Sequence, residues 1–388
     1  MKKTAVIFAM LPLLVGCSRS VSAEPPQSGT VPATVAATYY EQNIGQFADE
    51  IPQRSVVNYD HQTGEWLPYM RYEDDMKGKT AEEFRSAVRR RFEAAKADSV
   101  NTVYVHVHPN GDAYYRSDIF PKGPSWDGDY DPLQIMTEEA HALGLSIHAW
   151  LNPLRCQTAE AMDALPDTFV IKQWTLQPDS HITVNVGGRW YLDPAADETV
   201  TLLRDCIREI AQRYEVDGFH IDDYFYPTAD ASFDSERFAA SGADDLSEWR
   251  LSNCTRLVKA MYDEVKAADE RLEFGISPQG SISGNYDSQF ADVRLWAGQE
   301  GYCDYIVPQI YFGFRNESCP FAEALAQWES MTAPAVRLVI GLAQYKLGKA
   351  DKWAGAGGED EWIESPDIIS RQIELVKNST ANGYALYK

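Results

Sequence analysis

The sequence predicts an α/β protein folded as a parallel (β/α)8 barrel. Three observations carry the reading. Eight short apolar runs have strand composition, seven stretches of helical periodicity separate them, and acids, amides and rings cluster just past the strand ends. The strands are expected at 65–70, 102–107, 145–151, 217–221, 273–276, 305–310, 337–341 and 383–387. The helices are expected at 80–97, 132–143, 198–214, 247–268, 287–300, 320–331 and 366–381. Proline at the first turn marks three helix starts, after Asp131, Cys319 and Ser365. A doubly wound sheet is the alternative, but no glycine-rich GxGxxG turn follows the first strand. The expected fold is therefore a TIM barrel that reaches Lys388 directly after strand eight, without an eighth helix.

With 388 residues, 44% of them apolar and 12% aromatic, the chain can bury a large core. A formal charge of −23 excludes a nucleic-acid partner and a polybasic grip on membranes. Lys2 and Lys3 precede a short apolar run that ends Leu14-Val15-Gly16-Cys17, which resembles a bacterial lipobox. Residues 1–16 are thus expected to be a lipoprotein signal peptide, with Cys17 as the lipidation site. Residues 17–53, rich in Ser, Pro, Ala, Thr and Gln, read as a flexible tether, and 54–388 as the barrel domain. The expected membrane contact is through the N-terminal lipid alone, which places the barrel outside the cytoplasm. Cysteines 156, 206, 254, 303 and 319 are widely spaced without a CxxC pair, which argues against a disulfide framework or zinc knuckle. Pairing of Cys303 with Cys319 stays open at this stage.

The stretch His220-Ile221-Asp222-Asp223-Tyr224 closes the fourth strand and opens an aromatic loop stopped by Pro227. Buried acids are costly unless they are paired or used, and a barrel places its chemistry at strand ends. Period-two alternation turns His220, Asp222 and Tyr224 toward the barrel axis, where His220 and Tyr224 are expected to bind substrate. Asp222 is then the pocket acid, and Asp223 orients a neighbour or caps the loop. Other strand ends supply candidate substrate ligands: His108 and Asp112 after strand two, Asn152 and Arg155 after strand three, Gln309 and Tyr311 on strand six, and Gln344 after strand seven. Rings stack on sugar faces, while amides and carboxylates bind hydroxyls. Arg155, Lys346 and His108 are expected to make the mouth less negative than the rest of the surface. The alternate histidines His106 and His108 raise a second possibility, a metal-dependent hydrolase. The late strands contain no histidine to complete such a site, so the expected metal and cofactor content is none.

Seven motifs occur in one order: GEWLPY at 64–69, NTVYV at 101–105, YDPL at 130–133, HAWLNP at 148–153, DGFHIDDYFYP at 217–227, GISP at 275–278 and DYIVPQIY at 304–311. Together they resemble the glycosyl hydrolase-like 10 family, bacterial lipoproteins with a barrel domain. The resemblance implies cleavage of polysaccharide, in at least one branch the glycan strands of peptidoglycan stripped of stem peptides. Three positions depart from the family pattern. His106 and His108 stand where glutamine and arginine are usual, and Leu154 where tyrosine is usual. A glycosidase of this kind needs two carboxyl groups. Asp222 is the principal candidate, with Asp223, Asp112 and Glu317 as partners in that order. A sugar-binding lipoprotein without catalysis is the competing class.

Overall fold

A parallel strand is covered on both faces, so it reads as a continuous apolar run, and its neighbours must come from helical crossovers. In the computed structural model, which describes residues 55–222 and 225–388, this pattern closes into a barrel. The leader, Cys17 and the tether lie outside the described residues, and so do Asp223 and Tyr224. Among the described residues, barrel strands one to six are Gln62–Leu67, Thr102–His108, Ser146–Leu151, Gly218–Ile221, Glu273–Ile276 and Tyr305–Ile306. Strand seven runs as Arg337–Leu338 and resumes as Ile340–Ala343, and strand eight is Gly383–Tyr387. Each pairs in parallel with the next, and strand eight returns to strand one, with Gln62 opposite Gly383. The break in strand seven lets one strand serve two neighbours. Its first half pairs with strand six and its second half with strand eight. Closure leaves no sheet edge to template aggregation.

Local chemistry explains where the observed elements differ from expectation. Strand one starts three residues early, at Gln62, and stops at Leu67 because Pro68 cannot donate to a ladder. Strand six shortens to two residues before Pro308, with Gln309 keeping only single bridges to Gln279 and Gly341. The helix expected over 287–300 is two helices, Ile282–Ser288 and Val293–Gly298. Ser281 and Asp292 cap them, and Phe290 between them has a φ of 52°. Asp131 caps the helix Pro132–Ala142 with proline at its first turn, as expected. After Ser365-Pro366 the helix begins later, at Ile368. Cys303 and Cys319 are both free thiols.

Besides short helices such as Ala159–Asp163, Val170–Thr175 and Ser235–Ser241, a small sheet was absent from the sequence reading. Between strand three and the helix Asp197–Arg213 lies a three-stranded antiparallel sheet, in spatial order Arg155–Thr158, Arg189–Leu192, Thr183–Val186. Its tight turn is Gly187-Gly188, both at positive φ. Two such residues suit a hairpin turn that other side chains resist.

The barrel interior is a hydrogen-bonded column of rings. Trp66 Nε1 donates to His220 Nε2 at 3.0 Å. That makes Nδ1 the protonated nitrogen of a neutral ring, and it donates to the Tyr305 hydroxyl at 3.1 Å. Tyr305 donates in turn to His148 Nδ1 at 2.7 Å. His148 Nε2 then donates to Asn58 Oδ1 at 3.1 Å, the far end of the chain. Burial holds His220 well below the ordinary histidine range and His148 down to about 3, so both rings stay neutral. Glycines make room for the column. A Cβ on Gly275 would fall 1.9 Å from the Tyr305 ring, and one on Gly218 would fall 2.8 Å from the His148 ring.

His220 was expected to bind substrate, yet it sits beneath the strand ends with both nitrogens committed to the protein. His220→Phe should destabilise the fold by about 2–4 kcal/mol at pH 7.5, because Trp66 and Tyr305 lose their partner in the interior. The pH dependence has a definite sign. A ring whose folded pKa is lowered contributes fully above its unfolded value of 6.5 and is penalised as pH falls below it. The gap between wild type and variant should therefore narrow by about 1.4 kcal/mol per pH unit below 6.5. Urea midpoints at pH 7.5, 6.5 and 5.5 measure it, and a gap constant with pH would contradict a buried neutral ring.

Candidate active site

The carboxyl ends of the strands enclose a cleft of about 470 Å³. Strand parity builds its floor. Trp66, His106 and Trp150 point inward from strands one, two and three, and Asp222 follows the last residue of strand four. Leu151 is in register with Ile221, so Asn152 and Asp222 leave adjacent strands side by side. Asp222 is only 3% exposed, yet it lines the cleft. The wall opposite is aromatic. Tyr311 and Tyr387 lie nearly parallel, 6.3 Å apart, and Tyr345 meets Tyr387 edge-on at 5.5 Å. Gln309 joins this wall, its amide held by the Ser277 carbonyl at 3.1 Å. Tyr69 and Met70, in and beside the turn after strand one, form part of the rim. Arg155 comes from the inserted sheet, where it is in register with Tyr191.

The expected residues divide clearly. Asp222, Asn152, Arg155, Gln309 and Tyr311 line the cleft. His220 lies below it, as described. His108 does not line it either: a register shift between His106 and His108 interrupts the alternation. The His108 ring turns to Phe120 and donates from Nδ1 to the Asp112 carbonyl at 2.8 Å. Asp112 shapes its own loop, its carboxylate accepting from Asn110 N at 2.9 Å, and burial pushes it up to about 6. Glu317 is exposed and accepts from Gly357 N at 2.9 Å, away from the cleft. Gln344 opens a short 3-10 turn that delivers Tyr345 to the cleft in its place. Asp223 and Tyr224 are outside the described residues. Trp66, Trp150, Tyr345 and Tyr387 were not selected from sequence as site residues, and His106 was considered only as a metal ligand, although strand parity would have placed Trp66, His106 and Trp150 in the cleft.

Among the described residues of the lining, Asp222 is the only carboxylate and Arg155 the only guanidinium. The expected cationic contributions of Lys346 and His108 do not reach the cleft. Lys346 pairs with buried Asp351 at 2.8 Å, and burial lowers His108 to about 4. His106 stacks on Trp150 at 3.7 Å and 7°, while His108 faces elsewhere, so the two do not grip a common point. Among the described residues, no three His, Cys, Asp or Glu side chains come together as a metal-ligand set. The arrangement suits a flat, hydroxyl-rich ligand: rings for its faces, amides for its edges, and one buried acid at the centre.

The model of the glycosyl hydrolase-like 10 family matches residues 80–356. The chain belongs to this family. The matched span runs from the cap of the first long helix through the loop after strand seven, so it contains Asp222, Asn152, Arg155, Gln309, Tyr311 and Tyr345. Glycosyl hydrolase DigH of Escherichia coli (strain K12) is 29% identical over an alignment 412 positions long, covering 96% of this chain and 91% of DigH. Glycosyl hydrolase YngK of Bacillus subtilis (strain 168) is 30% identical over 369, covering 87% and 71%. Among solved structures, α-L-fucosidase isoenzyme 2 from Paenibacillus thiaminolyticus superposes with a TM-score of 0.55 at 13% identity. That match covers 84% of this chain and 46% of the fucosidase. An α-amylase from Geobacillus thermoleovorans gives 0.50 at 9% identity, covering 85% and 71%. At such identities the likeness is one of fold alone, the (β/α)8 barrel.

Proposed function

We propose that this protein is an extracytoplasmic glycoside hydrolase that cuts peptidoglycan glycan strands stripped of stem peptides, with Asp222 as its principal carboxylate. The observation that carries the reading is the position of Asp222, 3% exposed at the end of strand four, on the floor of a ring-walled cleft. In that position a carboxylate stabilises the positive charge that develops at the anomeric carbon, and its low exposure strengthens the effect. Asp223 is the proposed second carboxyl group, adjacent in sequence and thus deliverable to the same loop. The tyrosine wall holds sugar faces, and Gln309 and Asn152 orient hydroxyls. Arg155 binds the lactyl carboxylate of the wall glycan, a charge-assisted contact within a chain of net charge −23. Lipidation at Cys17 is the proposed anchor of the protein.

Asp222→Asn should fold with little change in melting temperature and lose about three or more orders of magnitude in cleavage of denuded glycan strands. Product analysis by mass spectrometry checks it. Unchanged turnover in the folded variant would remove Asp222 from catalysis, and tight glycan binding by wild type without products would favour a binding protein.

Arg155→Ala should lower kcat/KM on the carboxylated glycan by about tenfold or more, and much less on the carboxyl-reduced glycan. Equal losses on both would assign Arg155 to the support of the cleft.

Cys17→Ser should release the protein from membranes or leave an unprocessed precursor, read by fractionation and immunoblot. Retention on the membrane with the leader cleaved elsewhere would require another anchor.

A further inference from the structure

Buried polar atoms without a partner cost about 1–3 kcal/mol each, so native proteins keep few of them. Four occur together on one side of this cleft. Both ring nitrogens of His106, the Trp150 indole Nε1 and the Asn152 Oδ1 are buried without a well-formed hydrogen bond, the one relation among them being that of His106 with the Asn152 side chain. All three side chains line the cleft, and His106 is 3% exposed. The group is rigid. His106 lies flat on Trp150 at 3.7 Å and meets the edge of Tyr69 at 5.4 Å. Asn152 is tied to the Pro109 carbonyl through its Nδ2 at 3.0 Å, which leaves Oδ1 to face outward from that bond. Apart from the approach of His106 to Asn152, the packing of the barrel leaves these atoms unused, whereas the equivalent nitrogens of His148 and His220 are fully employed in the ring column.

The inventory has a definite polarity. Trp150 Nε1 is a donor only, and Asn152 Oδ1 an acceptor only. Burial holds His106 well below the ordinary histidine range, so the neutral ring offers one donor and one acceptor. A complementary ligand group is uncharged, carries a donor and an acceptor close together, and has a small apolar part to lie near the stacked rings. A secondary amide on a sugar has that composition. A lone hydroxyl reaches fewer of the four atoms, and a carboxylate would face two acceptors. We infer that His106, Trp150 and Asn152 form a subsite for the acetamido group of the sugar unit held against Asp222, with His106 setting the preference. The His106 N–H faces the Asn152 side chain, the amide N–H donates to the other, acceptor nitrogen of His106, and the amide carbonyl accepts from Trp150 Nε1. The subsite deepens the glycosidase reading and rests on it, yet it is a statement about binding and is measured without turnover.

The test is calorimetric binding of two β-1,4 tetramers to the purified full-length protein, one of N-acetylglucosamine and one of glucose. Wild type should prefer the acetylated tetramer by about tenfold or more, because a site built to hydrogen-bond a group rejects the analogue lacking it. His106→Phe keeps the stacked ring and removes both nitrogens, so the preference should fall below about threefold. His106→Gln restores one donor and one acceptor and should recover most of it, which a merely structural role would not produce. Equal binding of the two tetramers by wild type, a result independent of any variant, overturns the subsite. So does a His106→Phe protein with native near-ultraviolet circular dichroism and undiminished preference. Selective binding supports the subsite whether or not the tetramer is cut. Failure to bind either tetramer overturns the subsite, whereas the hydrolase reading falls only if denuded glycan strands are not cut, so the two failures are distinguishable.

Discussion

The directional hydrogen-bond chain from Trp66 through His220 and Tyr305 to His148 is the constraint on which the cleft depends. Both ends set its direction. An indole N–H can only donate, and the Asn58 carboxamide oxygen can only accept, so every ring between them has one permitted tautomer. The chain works only if both imidazoles are neutral, and burial ensures that they are. It holds Trp66 upright as part of the cleft floor and packs with Tyr104, whose ring stacks on His220 at 4.2 Å. Glycines on the neighbouring strands are the steric counterpart, since large rings at one level of the barrel need absent side chains at the next. The column is thus a support and a template: a satisfied polar core that specifies one arrangement of the inner faces.

The same burial logic shapes the electrostatics above it. An acidic chain would be expected to present a strongly negative mouth, yet the lining has one carboxylate and one guanidinium among neutral groups. Lys346 is cancelled by Asp351 and holds the Tyr311 carbonyl at 2.8 Å, so its contribution is to position an aromatic wall residue. Desolvation removes the charge from His106 and His108. Charge is thus concentrated at Asp222 and Arg155, in surroundings where each interaction is less screened than it would be in water.

The legible part of the sequence was whatever a repeating period controls. Strand and helix order followed from apolar runs alternating with helical faces, and inward parity brought Asp222 to the cleft floor. Legibility failed where a single residue breaks a period. Pro68 and Pro308 cut the ladders of strands one and six short, and Phe290 splits one helix in two. The irregularity after His106 sends His108 out of phase, so two histidines that alternate in sequence diverge in space. His220 shows a different limit. Its inward direction was readable, but depth along the axis was not, because depth depends on register against strands three and five. The inserted sheet was signalled by Gly187-Gly188 between alternating residues, a hairpin cue that the barrel rhythm masked.

That inserted sheet separates two kinds of evolutionary freedom. It leaves the barrel at the end of strand three and rejoins it at the helix Asp197–Arg213, so the ring column contains none of its residues. Side chains on it can change length or charge at the rim without disturbing a tautomer in the interior. Such a layout lets the appendage change what is gripped at the rim, while a changed ring in the column would leave its neighbours' polar atoms buried without partners. Sequence variation concentrated in residues 155–192, beside near-invariance at the inward positions of strands one, three, four and six, would be the historical record of that division.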